Sequence, residues 1–370
     1  SCFMATKGTT AWQCSVLTDT QEQTEWCIEQ FKLHEKMEQN GADLVGIHLE
    51  GPFLAKEYKG AMPEHLLKKN DIPLVRHYQE LAGGKINYIT ISPELDGVQE
   101  MIPTLKELGI VVGIGHSGAT YDQAMSAIAQ GATVGTHVGN ASRLFHQHEP
   151  AIFGAIMESD VYCETICDGR HLVPGSVRMY AKCKGLDRIV AITDSIMAAG
   201  LPDGNYHLGV NDVVVIDGDA KLASNGTRAG STLTQDVALK NMLKWLPNTL
   251  EEILPTLSEN PAREIVETAN EAGRADGGTT SFEAVTADSP EQAKELVRSG
   301  EADAALLVAY DGWTLIGNEE LSSGLQAGIA DAMRAYTLEI NAGYAGTTAE
   351  ALLAGSEFQT DLLNGSAENQ

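Results

Sequence analysis

Seven short apolar, β-rich runs recur along this chain with helical stretches between them: 10–17, 44–49, 86–91, 111–114, 133–138, 161–166 and 189–192. Nearly continuous hydrophobic strands alternating with helices predict a parallel sheet covered on both faces. So many units favour an α/β (β/α)8 TIM-like barrel over an open sheet, here one strand short of eight. A barrel carries its active site at the carboxyl ends of its strands. Polar residues stand there in this chain: Glu50, Ser92, His116, His137, Asp168 with His171, and Asp194.

Helices are expected over 20–39, 98–108, 121–130 and 175–184, the last opening after Pro174, which suits a first helical turn. Beyond the seventh run come a hairpin over 206–222, a Gly-rich turn over 225–231, a helix over 234–245 and another opening at Asn260-Pro261-Ala262. From about residue 271 the composition shifts to 17 acidic against 4 basic residues, without histidine or cysteine. The expected organisation is a barrel over 1–270 and an acidic α/β segment over 271–370, with strand, helix and strand at 281–287, 290–299 and 304–310.

The whole chain has 370 residues and a net charge of −26, which repels phosphate backbones and anionic lipid and argues against a nucleic-acid partner. An anionic substrate then needs a local cluster of donors. No apolar run reaches membrane-spanning length, and no charged segment followed by an apolar one opens the chain, so no membrane partner and a cytoplasmic location are expected. The six cysteines form no CxxC pair and read as reduced thiols.

Glu50, His116 and His137 each follow an apolar run and precede small or turn-forming residues. Two imidazoles and a carboxylate are the ligand count of a catalytic divalent-metal site that keeps a position open for water. Zinc leads, and iron, manganese or cobalt suit the same donors. Each residue alone also fits a solvated strand-end group; it is their combination that points to one site. Asp194 ends the last run, where a carboxylate can take a proton from water and return it to a leaving amine, as amide hydrolysis requires. The alternative for Asp194 is an N-cap of the 195–199 segment.

The motifs GIHLEGPFL (46–54), KGAMPEHL (59–66), GIGHSGAT (113–120), GTHVGNAS (135–142), DGRH (168–171), ITDSIMAAGLPDG (192–204), NGTRAGSTLTQDVALKN (225–241) and ENPAR (259–263) occur in one order. Together they resemble the N-acetylglucosamine-6-phosphate deacetylases of the amidohydrolase superfamily over residues 5–265. The resemblance implies one divalent metal on Glu50, His116 and His137, with Asp194 as the catalytic acid/base. It also implies an amino sugar phosphate substrate contacted by Ala61, Asn140, Ala141, His171 and the loop Arg228, Ala229, Gly230, Ser231, and association as a homodimer.

The chain departs from that pattern in places. His148 stands before Glu149-Pro150-Ala151 where the family carries a phosphate-binding arginine, and Met62 stands where histidine is common. A histidine lacks arginine's permanent bidentate charge, so Arg143 or Arg228 is expected to compensate, or the substrate differs in its phosphate. The family's amino-terminal β-sandwich and first barrel strand do not precede Ser1, so the resemblance implies that the first strand is the one missing or replaced, which favours a single-metal site. Two other readings stand beside the deacetylase: a non-catalytic sugar-phosphate binding or scaffold protein, and a deacetylase for a different N-acetylated sugar.

Overall fold

The computed structural model describes residues 2–35, 41–258 and 260, and three strands near the carboxyl end. Along the chain run α1 (Cys2–Ala5), β1 (Ala11–Leu17), α2 (Gln21–Glu35), β2 (Asp43–Glu50), α3 (Ile72–Leu81), β3 (Ile86–Ile91) and α4 (Ile102–Glu107). Then come β4 (Val111–Ile114), α5 (Tyr121–Gln130), β5 (Val134–Gly135), α6 (Ala151–Glu158), β6 (Tyr162–Ile166), α7 (Pro174–Lys184) and β7 (Ile189–Ile192). After these follow β8 (Gly204–Leu208), β9 (Asn211–Ile216), β10 (Asp219–Leu222), α8 (Gln235–Trp245), α9 (Leu250–Ile253), β11 (Ala304–Ala309), β12 (Gly312–Gly317) and β13 (Gln359–Leu362).

Described residues 2–11 and 41–43 belong with β11–β13 in a smaller compact unit, and the others form the larger one. In the smaller unit β11 pairs antiparallel with β12, and β12 parallel with β13. The strand expected at 304–310 is thus present, whereas the strand expected at 281–287, the helix expected at 290–299, the helix following Asn260 and the boundary near 271 lie outside the described residues.

In the larger unit the seven expected strands form one sheet in strictly sequential order, β1 to β7, parallel from β2 onward. Among the described residues β1 and β7 each have one neighbouring strand in it. The sheet is curled. On a flat sheet the ends of β2 and β5, three intervals of about 4.8 Å apart, would stand about 14 Å from each other. Instead, Glu50 at the end of β2 meets His137, just past β5, at 3.0 Å.

Local chemistry fixes the helices. Thr120 and Gln123 form a reciprocal capping box at the start of α5, and Gly131 ends it in the left-handed region at φ 116°. Pro174 opens α7 at a position where a missing N–H costs nothing. Besides the four-residue α1 and α9, two longer helices were not among those expected. Helix α3 starts from the side-chain cap of Asp71 and carries Pro73 in its first turn, and α6 is apolar on most faces, which blurs its 3.6-residue period.

The main core lies between the sheet and its helices, around Ile47, Ile89, Ile91, Met101, Leu105, Ile114 and Ile156. The concave side is layered. At its base Tyr88, Val111, Val134, Tyr162 and Val190 form an apolar plug. One step along the strands the inward residues turn polar: Thr90 Oγ1 lies 2.8 Å from His48 Nε2 and 3.0 Å from Thr136 Oγ1, and Tyr88 Oη lies 2.8 Å from Thr136 Oγ1. Gly113 sits in this layer because a Cβ there would come within 2.5 Å of Tyr88 Oη and 2.6 Å of Thr136 Oγ1. The hairpin expected over 206–222 is instead a three-stranded antiparallel meander, β8–β9–β10, because β8 reaches back to Gly204 and Asp217-Gly218 supplies a second tight turn with positive φ at both residues.

Candidate metal centre

Above the polar layer three side chains converge. Glu50 Oε1 lies 3.0 Å from His116 Nε2 and 3.0 Å from His137 Nε2, and the two Nε2 atoms are 3.0 Å apart. Such a triangle matches the edge lengths of three donors each about 2.0–2.1 Å from one ion. Tautomers support the fit: His116 Nδ1 donates to the Tyr58 carbonyl at 2.8 Å, which leaves the lone pair on Nε2 facing the other donors. The Nδ1 atom of His137 is buried with no hydrogen-bond partner among the described residues. This group could hold a metal ion.

Both histidines leave the strand geometry at these positions, with φ of 48° at His116 and 28° at His137. Non-glycine residues seldom adopt such values unless their surroundings hold them there. For His116 the anchors are Ser92 Oγ, donating to its carbonyl at 2.6 Å, and Glu94, which accepts from Ser117 Oγ at 2.7 Å and from the Gly118 N–H. For His137 the anchor is Glu164, whose Oε2 accepts the His137 N–H at 3.0 Å. The strand expected over 133–138 therefore stops at Gly135.

The electrostatics favour a cation in this place. Burial opposes charge on Glu50, yet the adjoining imidazoles of His116 and His137 hold its carboxyl well below the usual range. Burial likewise opposes charge on His137, and the hydrogen bond and charge of Glu50 overcome it, lifting the imidazole to about 9. Burial pushes the Glu164 carboxyl up to about 7 and the His48 ring down to about 4.

Asp194 follows β7 with φ 50°, and no helix begins there, so it is not the N-cap of one. Its carbonyl accepts the Ser231 N–H at 2.7 Å, and Ile196 N–H returns a bond to Ser231 O at 3.0 Å. Gly230 makes this approach feasible: its φ is 60°, and a Cβ would meet Asp194 O at 2.9 Å and Ile196 Cγ2 at 2.6 Å. Burial and the nearby charge of Glu50 raise the Asp194 carboxyl to about 6, with His137, His171 and His116 opposing. A carboxyl poised near neutrality suits a group that must both take and give a proton.

His171 is fixed by Asp168, whose Oδ2 lies 2.6 Å from His171 Nδ1 and whose Oδ1 accepts the Arg170 and His171 N–H groups at 2.7 Å each. Among the other expected substrate contacts, Ala229 and Ser231 are buried behind Asp194, and Ala61 packs against the β8–β10 sheet, its carbonyl accepting from Asn211 Nδ2 at 3.1 Å. Asn140 donates both its N–H and its side-chain amide to the His137 carbonyl, and the Ala141 carbonyl accepts from Ser117 N–H. His148 is exposed on its own loop, its ring 5.4 Å from that of His146. Arg228 grips Asp219 with Nε and Nη2 at 2.9 and 3.1 Å.

Sequence reasoning did not single out Glu94, Glu164 or Asp219. Glu164 carried a signal, being a lone carboxylate inside an apolar strand. All six cysteines are free thiols, and among the described residues no helix is long and apolar enough to cross a membrane.

No family model matches the chain. It is 36% identical over 260 residues to the N-acetylglucosamine-6-phosphate deacetylase of Lysinibacillus sphaericus, covering 70% of this chain and 67% of that protein. To the enzyme of the same name from Bacillus subtilis it is 34% identical, covering 70% of this chain and 66% of that protein. It is also 34% identical over 224 residues to an N-acetylgalactosamine-6-phosphate deacetylase of Escherichia coli O157:H7, covering 60% of this chain and 59% of that protein. The chain thus spans about two thirds or less of the length of these relatives. Among solved structures, that of the N-acetyl-D-glucosamine-6-phosphate deacetylase of Mycobacterium smegmatis matches with a TM-score of 0.66 at 32% identity, over 71% of this chain and 70% of that one. The Thermotoga maritima deacetylase matches with 0.65 at 32% identity, over 71% of each chain. On these grounds the chain belongs to the N-acetylglucosamine-6-phosphate deacetylase family.

Proposed function

We propose that this chain hydrolyses the acetamido group of N-acetylglucosamine 6-phosphate, giving glucosamine 6-phosphate and acetate. The observation that carries the reading is the convergence of Glu50 Oε1 with the Nε2 atoms of His116 and His137, with the raised carboxyl of Asp194 close enough to sense their charges. Glu50, His116 and His137 would hold a divalent ion, which would supply Lewis acidity and ease the deprotonation of water near neutral pH. Asp194 takes the proton from the attacking water and then delivers it to the amine nitrogen, which leaves as a neutral amine. His171, its Nδ1 paired with Asp168, presents Nε2 to the substrate, as an acceptor from a sugar hydroxyl when neutral or as a donor to the acetyl carbonyl when protonated. The seven-stranded sheet is read as part of a (β/α)8 barrel, with zinc as the first-choice ion.

A second reading, a different N-acetylated sugar, is favoured by the exposed His148 in place of an arginine and by the similarity to an N-acetylgalactosamine-6-phosphate deacetylase. The test is acetate release, with zinc, iron(II), manganese or cobalt, from N-acetylglucosamine 6-phosphate, its galactosamine epimer and unphosphorylated N-acetylglucosamine. Turnover greatest with the first supports the proposal. Preference for either other sugar selects the second reading.

A further inference from the structure

The turn that carries His171 is held from two directions. On its inner side the Asp168 carboxylate collects the Arg170 N–H, the His171 N–H and the His171 ring. On its outer side the Arg170 carbonyl accepts a hydrogen bond from Arg228 Nη1 at 3.3 Å, although 58 residues separate the two. Arg228 can reach that carbonyl because the rest of its guanidinium is spoken for: Nε and Nη2 lie on Asp219 Oδ1 and Oδ2. Two fork bonds fix the plane of a guanidinium, so the direction of the third N–H is fixed with it.

Asp219 is a firm point of attachment. It starts β10, paired with Ile216 of β9, and its side chain is only 13% exposed. Lys221 Nζ lies 2.9 Å from its Oδ2 and Arg170 Nη1 4.0 Å. A second tie runs the other way, from Arg170 Nη2 to the carbonyl of Asp217 in the β9–β10 turn. The two ties join the 168–171 turn to the small antiparallel sheet, and with Arg228 so engaged its fork is not open to a substrate phosphate.

We propose that Asp219, acting through the Arg228 guanidinium, is a positioning residue for His171, holding the 168–171 turn in register with the reaction centre. The proposal rests on the deacetylase reading for the role of His171, but the tie itself can be measured without turnover. A lysine at 228 keeps the charge and loses the fork, so Arg228→Lys and Asp219→Ala release the Arg170 carbonyl. Misplacement of a reacting group by about 1 Å costs up to about 10²-fold in rate.

The experiment uses the full chain loaded with zinc. It measures kcat and KM for N-acetylglucosamine 6-phosphate, bound metal, melting temperature and the NMR resonances of the His171 ring, for wild type, Asp219→Ala, Arg228→Lys and the exchanged pair Asp219→Arg with Arg228→Asp. Expected are kcat values roughly ten to a hundred times lower in both single variants, little change in KM or bound metal, and a shifted His171 ring signal. The exchanged pair restores the ion pair but not the donor to the Arg170 carbonyl, so melting temperature recovers and kcat does not. An Arg228→Lys variant with wild-type kcat and an unshifted ring signal overturns the proposal, as does recovery of kcat in the exchanged pair. If wild type releases no acetate, the deacetylase reading fails, and the ring signal of Arg228→Lys alone decides the tie.

Discussion

The Nε2 atoms of His116 and His137 stand 3.0 Å apart, each also 3.0 Å from one oxygen of Glu50. Two imidazole nitrogens and a carboxylate directed at one point are a chelating arrangement. In the metal-free protein a proton occupies part of that role, since Glu50 lifts the His137 imidazole to about 9. At pH 7.5 the binding of zinc must therefore displace close to one proton, because a ligand histidine is neutral. Calorimetry in buffers of different ionisation enthalpy should register about one proton released per ion at pH 7.5, and markedly less above the lifted value. Release that does not vary with pH would contradict this assignment.

Asp194 must be ionised to accept a proton from water. Its carboxyl is raised to about 6, so the rate rises with pH through the acid limb as the carboxylate forms. A bound cation favours the carboxylate and moves that limb to lower pH. The pH–rate profile of the zinc-loaded protein should thus show an acid limb below about 6, and a limb above 7 would contradict it.

Glu164 holds the His137 backbone from below. Glu164→Ala removes the acceptor of a buried N–H, at a cost of about 1–3 kcal/mol, and should weaken metal affinity about 10–100-fold. Its carboxyl has a folded value near 7, above the ordinary 4.5, so the stability it contributes is present below about 4.5 and is lost as pH rises through 7. Glu164→Gln keeps an acceptor and removes the titration. Denaturant melts of the metal-free protein between pH 4.5 and 7.5 should show wild type losing about 3 kcal/mol relative to the Gln variant.

Much of this was legible in the sequence because a buried parallel strand is a continuous apolar run, and all seven of those runs are strands. The site was legible for a related reason: a polar residue at the end of such a run is conspicuous, and Glu50, His116 and His137 do meet. Residues whose role is to hold other residues left weaker traces. Glu94 and Asp219 act through contacts 23 and 9 residues away in sequence, and no local period encodes them. Helix α6 was hidden by its own hydrophobicity, and the third strand of the meander by the similarity of β8 to a loop.

Gly230 lets the 228–231 loop pack on Asp194. An alanine there is strained by the positive φ and collides with Asp194 O and Ile196 Cγ2. Gly230→Ala should cost about 1–3 kcal/mol and lower kcat by displacing Asp194, with bound metal unchanged. Wild-type kcat in that variant would mean that the loop does not set the Asp194 position.

The most direct test of the whole account is acetate release from N-acetylglucosamine 6-phosphate by protein of measured metal content, beside Asp194→Asn. The expected result is one ion per chain in both proteins, turnover that disappears on chelation and returns with zinc, and a rate about 10²–10⁴-fold lower in the variant. Bound metal without acetate release, or equal rates in the two proteins, would contradict the assignment of Asp194 and the hydrolase reading with it; absence of bound metal would favour a non-catalytic sugar-phosphate binding protein.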